Sequence, residues 1–281
     1  MKKITSLILA AVMLCSLCFA FASCGKSGEV KIIDIALTTE QYAFAVDKGN
    51  TELLTKLNTF LAEIKANGEF QKVLDKYFAD GTPSGVTSAA RDESKDQLVV
   101  ATNAAFKPFE YKEGDLFYGV DMEIMKLFAD YLKLELVIDD MNFESVCTAV
   151  EQGTCDVAAS GLTIKPDRQA ILDFSTSYYD ASQKIICLAD NNIFADCKET
   201  ADLEEVLKKM ASGTKFGAQA GTTGYYYIEG DADFGFDGYS NLECKSYDNG
   251  AMAVQDLING NIDYVIIDDA PATNIVKSIN G

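Results

Sequence analysis

Two stretches of the sequence, AVEQGTCDVAAS (149–160) and DLINGNIDYVII (256–267), share one pattern and decide the fold. Each passes from a segment of helical periodicity through a glycine and two further residues to an aspartate that opens a β-rich strand. Gly153 and Gly260 occupy the position where a helix commonly ends in the left-handed conformation. These residues are structural rather than chemical, and their repetition predicts two similar α/β lobes.

Strand-like and helix-like segments alternate around these two units. From Gln97 onward, runs of β-branched residues such as QLVVATN and ELVIDD alternate with segments of helical periodicity such as Val120–Leu132. This alternation indicates a layered α/β architecture with largely parallel sheets. The segment ADGTPSGVTSAARDESKD (79–96) has no periodicity and is rich in Gly, Ser, Thr and charge, which predicts a flexible linker.

The composition is that of a globular, acidic chain. Of its 281 residues 48% are hydrophobic, and 43 acidic against 24 basic residues give a net charge of −19. This charge argues against nucleic-acid binding, because phosphates require a basic face. The absence of histidine excludes Ser-His and Cys-His nucleophiles and any zinc site built on imidazole. The cysteine spacing matches no metal motif, so we expect buried structural thiols, no metal and no cofactor.

The N-terminal residues are typical of a bacterial secretory signal. Lys2 and Lys3 precede an apolar run, Ile4–Ala22, which is nearly long enough to span a membrane, so an uncleaved anchor is the competing interpretation. The sequence FASCGKSG is similar to a bacterial lipobox, although Phe21 stands where leucine is usual. In a lipobox the cysteine, here Cys24, carries the lipid and becomes the mature N-terminus.

We therefore predict a lipoprotein. The signal peptide spans 1–23, a palmitate-bearing lipid is attached to Cys24, and a short linker fills 24–29. The mature protein is then extracytoplasmic and is held at the cell membrane through its lipid anchor only.

Polar residues follow two strands at their carboxyl ends, where open α/β sheets bind ligands. In ASGLTIKPDR, Arg168 lies in the first turn of a helix, and its planar guanidinium can hold a carboxylate with two parallel hydrogen bonds. In GAQAGTTGYYY, the strand turns through Gly221 into a helix whose N-terminus favours an anion. Thr222 and Thr223 add hydroxyl groups there.

A third strand, VIIDDAP (265–271), ends in two acids. One can cap the helix that follows, and the other attracts a cation. Two anion sites and one cation site together describe the zwitterion of an α-amino acid. Each also has an ordinary structural interpretation: Arg168 as a surface residue, the two threonines as helix caps, and Asp268 as a cap alone.

Four segments together resemble the bacterial extracellular solute-binding proteins, family 3, that serve polar amino-acid ABC transporters. They are LVVATNAAFKPFEYKEGDLFYGVDMEIMKLFADYL, ASGLTIKPDRQAILDFSTSYYD, GAQAGTTG and DYVIIDDAPA. The resemblance implies a type II periplasmic-binding-protein-like fold, in which two mostly parallel sheets flanked by helices are joined by a hinge of two crossovers. It implies a monomer that is not an enzyme. Such a protein captures a polar amino acid between its lobes and delivers it to the permease and ATPase of an importer.

The resemblance also implies which residues bind the main-chain groups of the ligand. Arg168 matches the arginine that holds the α-carboxylate. Asp268 matches the acid that accepts the α-ammonium, which leaves Asp269 to cap the following helix. The neighbouring contacts match Gly161, Thr163, Thr222 and Thr223.

A second group of matched residues surrounds the ligand side chain. Phe106 and Phe143 match aromatic residues that stack on it, although ordinary core residues would look the same. Gln219 matches a polar residue that often reaches the far end of the ligand. Family members often have an aspartate at the position of Asn103, where it can meet a cationic side chain. Asn103 therefore favours an uncharged polar ligand such as glutamine or cystine over lysine or arginine.

The order of the segments departs from that of the family. VKIIDIALTTEQYAFAVDKGNTELL resembles the closing passage of the family, whereas APATNIVKSING resembles what normally precedes it. The chain is therefore predicted to be circularly permuted, with 79–96 joining the family's usual ends. A truncated tandem gene or a sequence-assembly error would give the same string. In the permuted order lobe two consists of 30–38 and 190–281, and lobe one of 39–80 and 97–189.

Two other functions fit this fold. A few dehydratases share it, and without histidine only Glu110, Asp268 or Lys107 could serve such an enzyme as acid or base. An amino-acid sensor or adhesin domain is the other alternative, and it requires a fused signalling segment or a gene neighbourhood without a permease.

Overall fold

The structure is a computed structural model that describes residues 28–233 and 235–281. The predicted signal peptide (1–23), the lipidation at Cys24 and most of the linker (24–29) lie outside the described residues. Within the described ranges, no helix combines the length and the apolarity needed to cross a lipid bilayer.

Short strands and helices alternate along the described chain. In chain order the strands are β1 (Val30–Ile33), β2 (Glu40–Tyr42), β3 (Ala45–Asp47), β4 (Gln97–Thr102), β5 (Ala105–Phe106), β6 (Glu110–Glu113), β7 (Leu116–Tyr118), β8 (Glu135–Asp140), β9 (Val157–Ala158), β10 (Leu172–Phe174), β11 (Tyr179–Ala181), β12 (Gln183–Leu188), β13 (Thr214–Gln219), β14 (Leu242–Tyr247) and β15 (Tyr264–Asp268). The helices are α1 (Thr51–Ala66), α2 (Glu69–Phe78), α3 (Val120–Leu132), α4 (Phe143–Glu151), α5 (Pro166–Ile171), α6 (Thr200–Lys209), α7 (Thr223–Glu229), α8 (Gly250–Ile258) and α9 (Asp269–Asn280).

One five-stranded sheet forms the centre of lobe two. Its order is β1-β12-β15-β13-β14, in which the last three strands are parallel and β12 is antiparallel to both of its neighbours. Because successive strand residues point to opposite faces, Ile266 packs with α6 and α7, whereas Val265 and Ile267 pack with α8 and α9. Helices therefore cover both faces of this sheet, as its apolar sequence requires.

A second five-stranded sheet forms the centre of lobe one. Its order is β10-β3-β9-β4-β8; the strands β9, β4 and β8 are parallel, and β3 is antiparallel to both of its neighbours. Helix α1 buries Leu57, Phe60 and Leu61 in this lobe, and the ring of Phe60 lies 5.2 Å from that of Phe128 on α3. The segment before residue 80 therefore supplies part of the lobe-one core.

The two lobes are joined at a small antiparallel pair of strands. β2 pairs with β11, which places Tyr42 opposite Tyr179. β2 leads from the lobe-two strand β1 to the lobe-one strand β3, and β11 leads from the lobe-one strand β10 to the lobe-two strand β12. The chain thus crosses between the lobes twice at one place, which is the arrangement of a hinge.

The repeated unit of the sequence has the same structure in both lobes. Gly153 and Gly260 have positive φ angles of 66° and 75°, as expected of residues that end a helix in the left-handed conformation. The carboxylates of Asp156 and Asp263 each accept a hydrogen bond of 2.8 Å from a backbone N–H of the neighbouring strand. The structural interpretation of this pattern is confirmed.

The predicted boundary of lobe one at residue 189 is wrong. Strand β12 pairs with β1 and β15 and so belongs to the sheet of lobe two. Its sequence has the composition of any buried strand, and composition does not tell which sheet a strand joins. The second crossover, β11, ends at Ala181, and lobe two resumes directly after it.

The segment 79–96 is not a free linker. Val86 is buried and exchanges two backbone hydrogen bonds, of 2.7 and 2.9 Å, with Phe117. Further along, the hydroxyl of Ser88 accepts from the N–H of Ile138 at 2.8 Å. A polar, aperiodic sequence predicts the absence of helix and strand correctly, but it does not reveal that such a segment can be fixed by bonds to the lobe beside it.

All five cysteines of the described chain have free thiols. Two are buried, as expected of structural thiols, whereas the other three are half-buried. They are Cys147, Cys155, Cys187, Cys197 and Cys244.

Candidate functional site

The ten residues expected to bind the ligand line a single cavity between the lobes. Its free volume is about 10 Å³, room for about one water molecule, so the lobes are tightly closed. Glu110 and Ser160, which the sequence did not place among the ligand contacts, line it as well. The ten expected residues are Asn103, Phe106, Phe143, Gly161, Thr163, Arg168, Gln219, Thr222, Thr223 and Asp268.

Arg168 brings a buried positive charge to the cavity from lobe one. It lies on α5, which begins with proline at its first position, and only 6% of the residue is exposed. Its Nη1 donates to the carbonyl of Thr163 at 3.0 Å, and its Nη2 reaches across to the carbonyl of Gly221 in lobe two at 3.1 Å. No acidic side chain of the described chain forms an ion pair with it. Its remaining N–H groups are the natural partners of a carboxylate.

Asp268 brings a buried carboxyl group to the same cavity from lobe two. It is the last residue of β15 and is 5% exposed, and it accepts a hydrogen bond from the hydroxyl of Tyr42. Burial, followed by the nearby Glu40, raises the pKa of Asp268 to about 7, while the bond from Tyr42 opposes the increase. A cation that approaches such a buried carboxyl group stabilises its ionised form.

The prediction that Asp269 caps the following helix is wrong. Asp268 occupies the N-cap position of α9, and Asp269 is the first helical residue. The side chain of Asp268 makes no capping hydrogen bond, because its carboxyl group faces Tyr42 instead. The N–H of Asp269 is satisfied by the carbonyl of Ser182 at 2.9 Å.

Two of the three threonine hydroxyls that line the cavity donate to Glu40, a buried acid that the sequence did not identify. Thr163 of lobe one and Thr223 of lobe two donate to the same carboxylate oxygen, at 2.8 and 2.7 Å. The side chain of Gln183 donates to the other oxygen at 3.0 Å. Thr222 donates instead to the carbonyl of Gln219 at 2.7 Å. Glu40 thus links both lobes to the first crossover.

The amide and aromatic residues form another wall of the cavity. Gln219 donates to the side-chain oxygen of Asn103 at 2.9 Å, and the side-chain nitrogen of Asn103 donates to the carbonyl of Met141 at 2.7 Å. The ring of Phe106 packs against Gly161, where a Cβ atom would lie 2.9 Å from the ring and where φ is +50°. Glycine is therefore required at 161 both by conformation and by space.

Glu110 and Ser160 complete the lining. Glu110 is the first residue of β6 and has no exposed surface, and its Oε1 accepts from the hydroxyl of Ser160 at 3.1 Å. Burial and the nearby Asp121 raise the pKa of Glu110 well above its ordinary value. Sequence analysis identified this residue only as a possible acid in an enzyme. No local pattern pointed to Tyr42 or Glu40, which lie far from the other site residues along the chain.

Residues 5–80 and 98–263 match the family of bacterial extracellular solute-binding proteins, family 3. The chain belongs to this family. Among these solute-binding proteins, the arginine-binding extracellular protein ArtP of Bacillus subtilis is 31% identical over 199 residues, which are 70% of this chain and 71% of ArtP. A probable histidine-binding protein of Neisseria gonorrhoeae is 28% identical over 181 residues, which are 64% of this chain and 61% of that protein.

Solved structures of solute-binding proteins have the same fold. Holo ArgBP from T. maritima is 30% identical, with a TM-score of 0.55 over 67% of this chain and 77% of ArgBP. AncCDT-1, described as an ancestral amino acid-binding protein and a precursor of cyclohexadienyl dehydratase, is 27% identical, with a TM-score of 0.55 over 65% of this chain and 75% of its own. The chain therefore has the expected α/β, two-lobed, type II periplasmic-binding-protein-like fold and acts as a solute-binding protein.

Proposed function

We propose that this solute-binding protein captures a free α-amino acid between its lobes and delivers it to the permease and ATPase subunits of an ABC importer. One observation carries the proposal. A buried guanidinium without an acidic partner in the described chain, Arg168, and a buried carboxyl group, Asp268, line one cavity from opposite lobes. A zwitterion supplies the carboxylate for the first and the ammonium for the second.

Binding depends on closure of the lobes around the ligand. The closed cavity has about 10 Å³ of free volume, so an amino acid reaches it only when the hinge strands β2 and β11 let the lobes separate. When the lobes close again, Arg168 and Asp268 meet the two ends of the ligand together. A molecule with only one of the two charges leaves the other group buried and unpaired, which opposes closure.

The site is expected to bind its ligand without transforming it. A second candidate function, a dehydratase, is favoured by one observation, namely that Glu110 and Asp268 both have raised pKa values and line the cavity. Incubation with cyclic dienyl acids distinguishes the two. A binding protein returns its ligand unchanged after release, whereas an enzyme yields product at a rate that falls when Glu110 is replaced by glutamine.

We propose that the mature protein is a monomer held at the outer face of the cell membrane by a lipid on Cys24. The support is the lipobox-like FASCGKSG and the apolar run before it. Metabolic labelling with a palmitate analogue tests this directly, because a Cys24→Ser variant should lose the label and a Cys18→Ser variant should keep it.

We also propose that the chain is a circular permutation of the family's usual order. In support, β1 adds to the edge of the lobe-two sheet, and the backbone of Val30 exchanges hydrogen bonds of 3.2 and 2.8 Å with the side chain of Asn280. Helices α1 and α2 pack on lobe one, and 79–96 runs along that lobe to β4. The family matches the chain in two segments that flank 81–97.

A thermal-shift panel of the twenty amino acids, cystine and ornithine tests the proposed function. A ligand present at a hundred times its dissociation constant should add about 2.7 kcal/mol to the unfolding free energy. The proposal fails if no amino acid raises the melting temperature, or if every one that does raises it equally in an Arg168→Ala variant. Arg91→Ala is the matched control, because Arg91 forms an exposed ion pair with Asp139 on lobe one.

A further inference from the structure

Lys165 of lobe one is buried against lobe two. It is the N-cap residue of α5, and only 4% of its side chain is exposed. Its Nζ lies 2.9 Å from Oδ2 of Asp167 on its own lobe and 4.4 Å from the centre of the ring of Tyr226, which belongs to α7 of lobe two. An ammonium above an aromatic ring is attracted by the negative face of the ring, and the attraction grows when water is excluded. The side chain of Lys165 therefore joins the two lobes by a cation–π contact.

This contact lies where the start of α5 meets the start of α7 across the closed lobes. Three residues after Lys165, the guanidinium of Arg168 donates to the carbonyl of Gly221, five residues before Tyr226. The ligand cavity is lined by Arg168, whereas Lys165 and Tyr226 lie outside its lining. A substitution at either of these two residues therefore changes the contact between the lobes without removing an atom from the ligand site.

The environment of Lys165 depends on lobe two. Burial lowers the pKa of Lys165, because its ammonium loses hydration in the closed protein. Asp167 and Asp231 oppose the decrease, and Asp231, like Tyr226, belongs to lobe two. When the lobes separate, Asp167 stays beside the ammonium, the partners on lobe two move away, and water takes their place. In the closed protein these partners are required, because a buried charge that lacks them is strongly unfavourable.

We infer that Lys165 and Tyr226 form a closure latch, a pair that comes together only when the lobes close and that slows their reopening. The inference rests on the proposed function, because it concerns lobes that close around an amino acid. The residues that line the cavity determine which amino acid is bound. The closure latch determines how long that amino acid is retained, because release requires the lobes to separate.

A double-mutant cycle tests the closure latch. Calorimetry on the purified mature protein uses the amino acid that gives the largest thermal shift among the twenty, cystine and ornithine. Tyr226→Leu should weaken its binding about tenfold or more, because the variant leaves the ammonium of Lys165 buried without the ring. In a Lys165→Met background, the same substitution should change the affinity less than about threefold, because methionine has no charge to leave unpaired.

Two control variants separate the closure latch from ordinary packing. Tyr226→Phe keeps the aromatic ring and should bind the same amino acid within about threefold of the parent. Lys112→Met removes another contact between a lysine and a ring, in which Nζ lies 4.8 Å from the centre of the ring of Phe117. Because Lys112 and Phe117 both belong to lobe one, this variant should bind as the parent does.

Stopped-flow kinetics provide a measurement that a purely structural role would not affect in the same way. Because the closure latch forms after the amino acid has entered, Tyr226→Leu should raise the dissociation rate and leave the association rate within about twofold of the parent. Urea unfolding shows that each variant is intact, and Tyr226→Met replaces Tyr226→Leu if the latter does not fold. An equal loss of affinity in both backgrounds, or a loss that appears in the association rate, overturns the inference while the proposed function stands. Failure of every amino acid to bind the parent defeats the proposed function itself.

Discussion

Replacing Arg168 with alanine should weaken amino-acid binding strongly while the protein stays folded. Two of its N–H groups bond to carbonyls of Thr163 and Gly221, and the others are available to the ligand. Without the guanidinium, the ligand carboxylate is buried unpaired on closure, which costs about 3–5 kcal/mol. This corresponds to a loss of affinity of roughly 150- to 5,000-fold. Arg168→Lys should restore little of it, because an ammonium lacks the planar, two-pronged geometry.

Isothermal calorimetry with the best ligand of the thermal-shift panel measures these affinities, and urea unfolding shows whether each variant is intact. Arg91→Ala should bind as the parent does. If a folded Arg168→Ala protein keeps an affinity within about threefold of the parent, a difference well under 1 kcal/mol, the assignment of Arg168 to the ligand carboxylate is wrong.

The raised pKa of Asp268, the role of Glu40 at the hinge and the permuted order of the segments can be tested in the same way. Burial raises the pKa of Asp268 from 3.8 to about 7, so the folded state binds more protons than the unfolded state between these values. The unfolding free energy of the unliganded protein should therefore fall as the pH rises from 5 to 8, and it should fall less steeply in Asp268→Asn. Ligand affinity should rise over the same pH range, because the ammonium of the ligand needs an ionised carboxylate. Glu40→Ala should remove the hydrogen bonds that join the lobes at the hinge and increase the radius of gyration of the unliganded protein in X-ray scattering; an unchanged radius would contradict that role. A fragment that begins at Gln97 should be insoluble or unable to bind, because it lacks the apolar faces of α1 and α2, and a folded, ligand-competent fragment would refute the permutation. Rejoining Gly281 to Val30 and opening the chain within 79–96 should preserve folding and ligand preference.

The α/β layers and the two lobes could be predicted from the sequence, because local patterns determine them. The helix, glycine and aspartate of each repeated unit specify a turn and a strand start without reference to distant residues. The boundary between the lobes could not be predicted in this way, because the sheet that β12 joins depends on pairing with β1 and β15, far away along the chain. For the same reason the bonds that fix 79–96 to lobe one were not foreseen.

The ten expected site residues could be named because each belongs to a short motif, and the structure gathers all ten around one cavity. The hydrogen-bond partners of these residues could not be predicted from the sequence. Tyr42 and Glu40 lie on the first crossover, and no local pattern shows that they approach Asp268, Thr163 and Thr223. The burial of Glu110 beside Ser160 is likewise visible only when the neighbours of the side chain are known.

The central claim is that both charged ends of a free amino acid are held between the lobes. Calorimetric titration of the mature protein with its best ligand, with the N-acetyl derivative and with the methyl ester tests it most directly. Each derivative removes one charge, so each should bind at least about 100-fold more weakly than the free amino acid, because Asp268 or Arg168 is then left buried without a partner. A derivative that binds within about tenfold of the free amino acid, a difference under 1.4 kcal/mol, would contradict the claim.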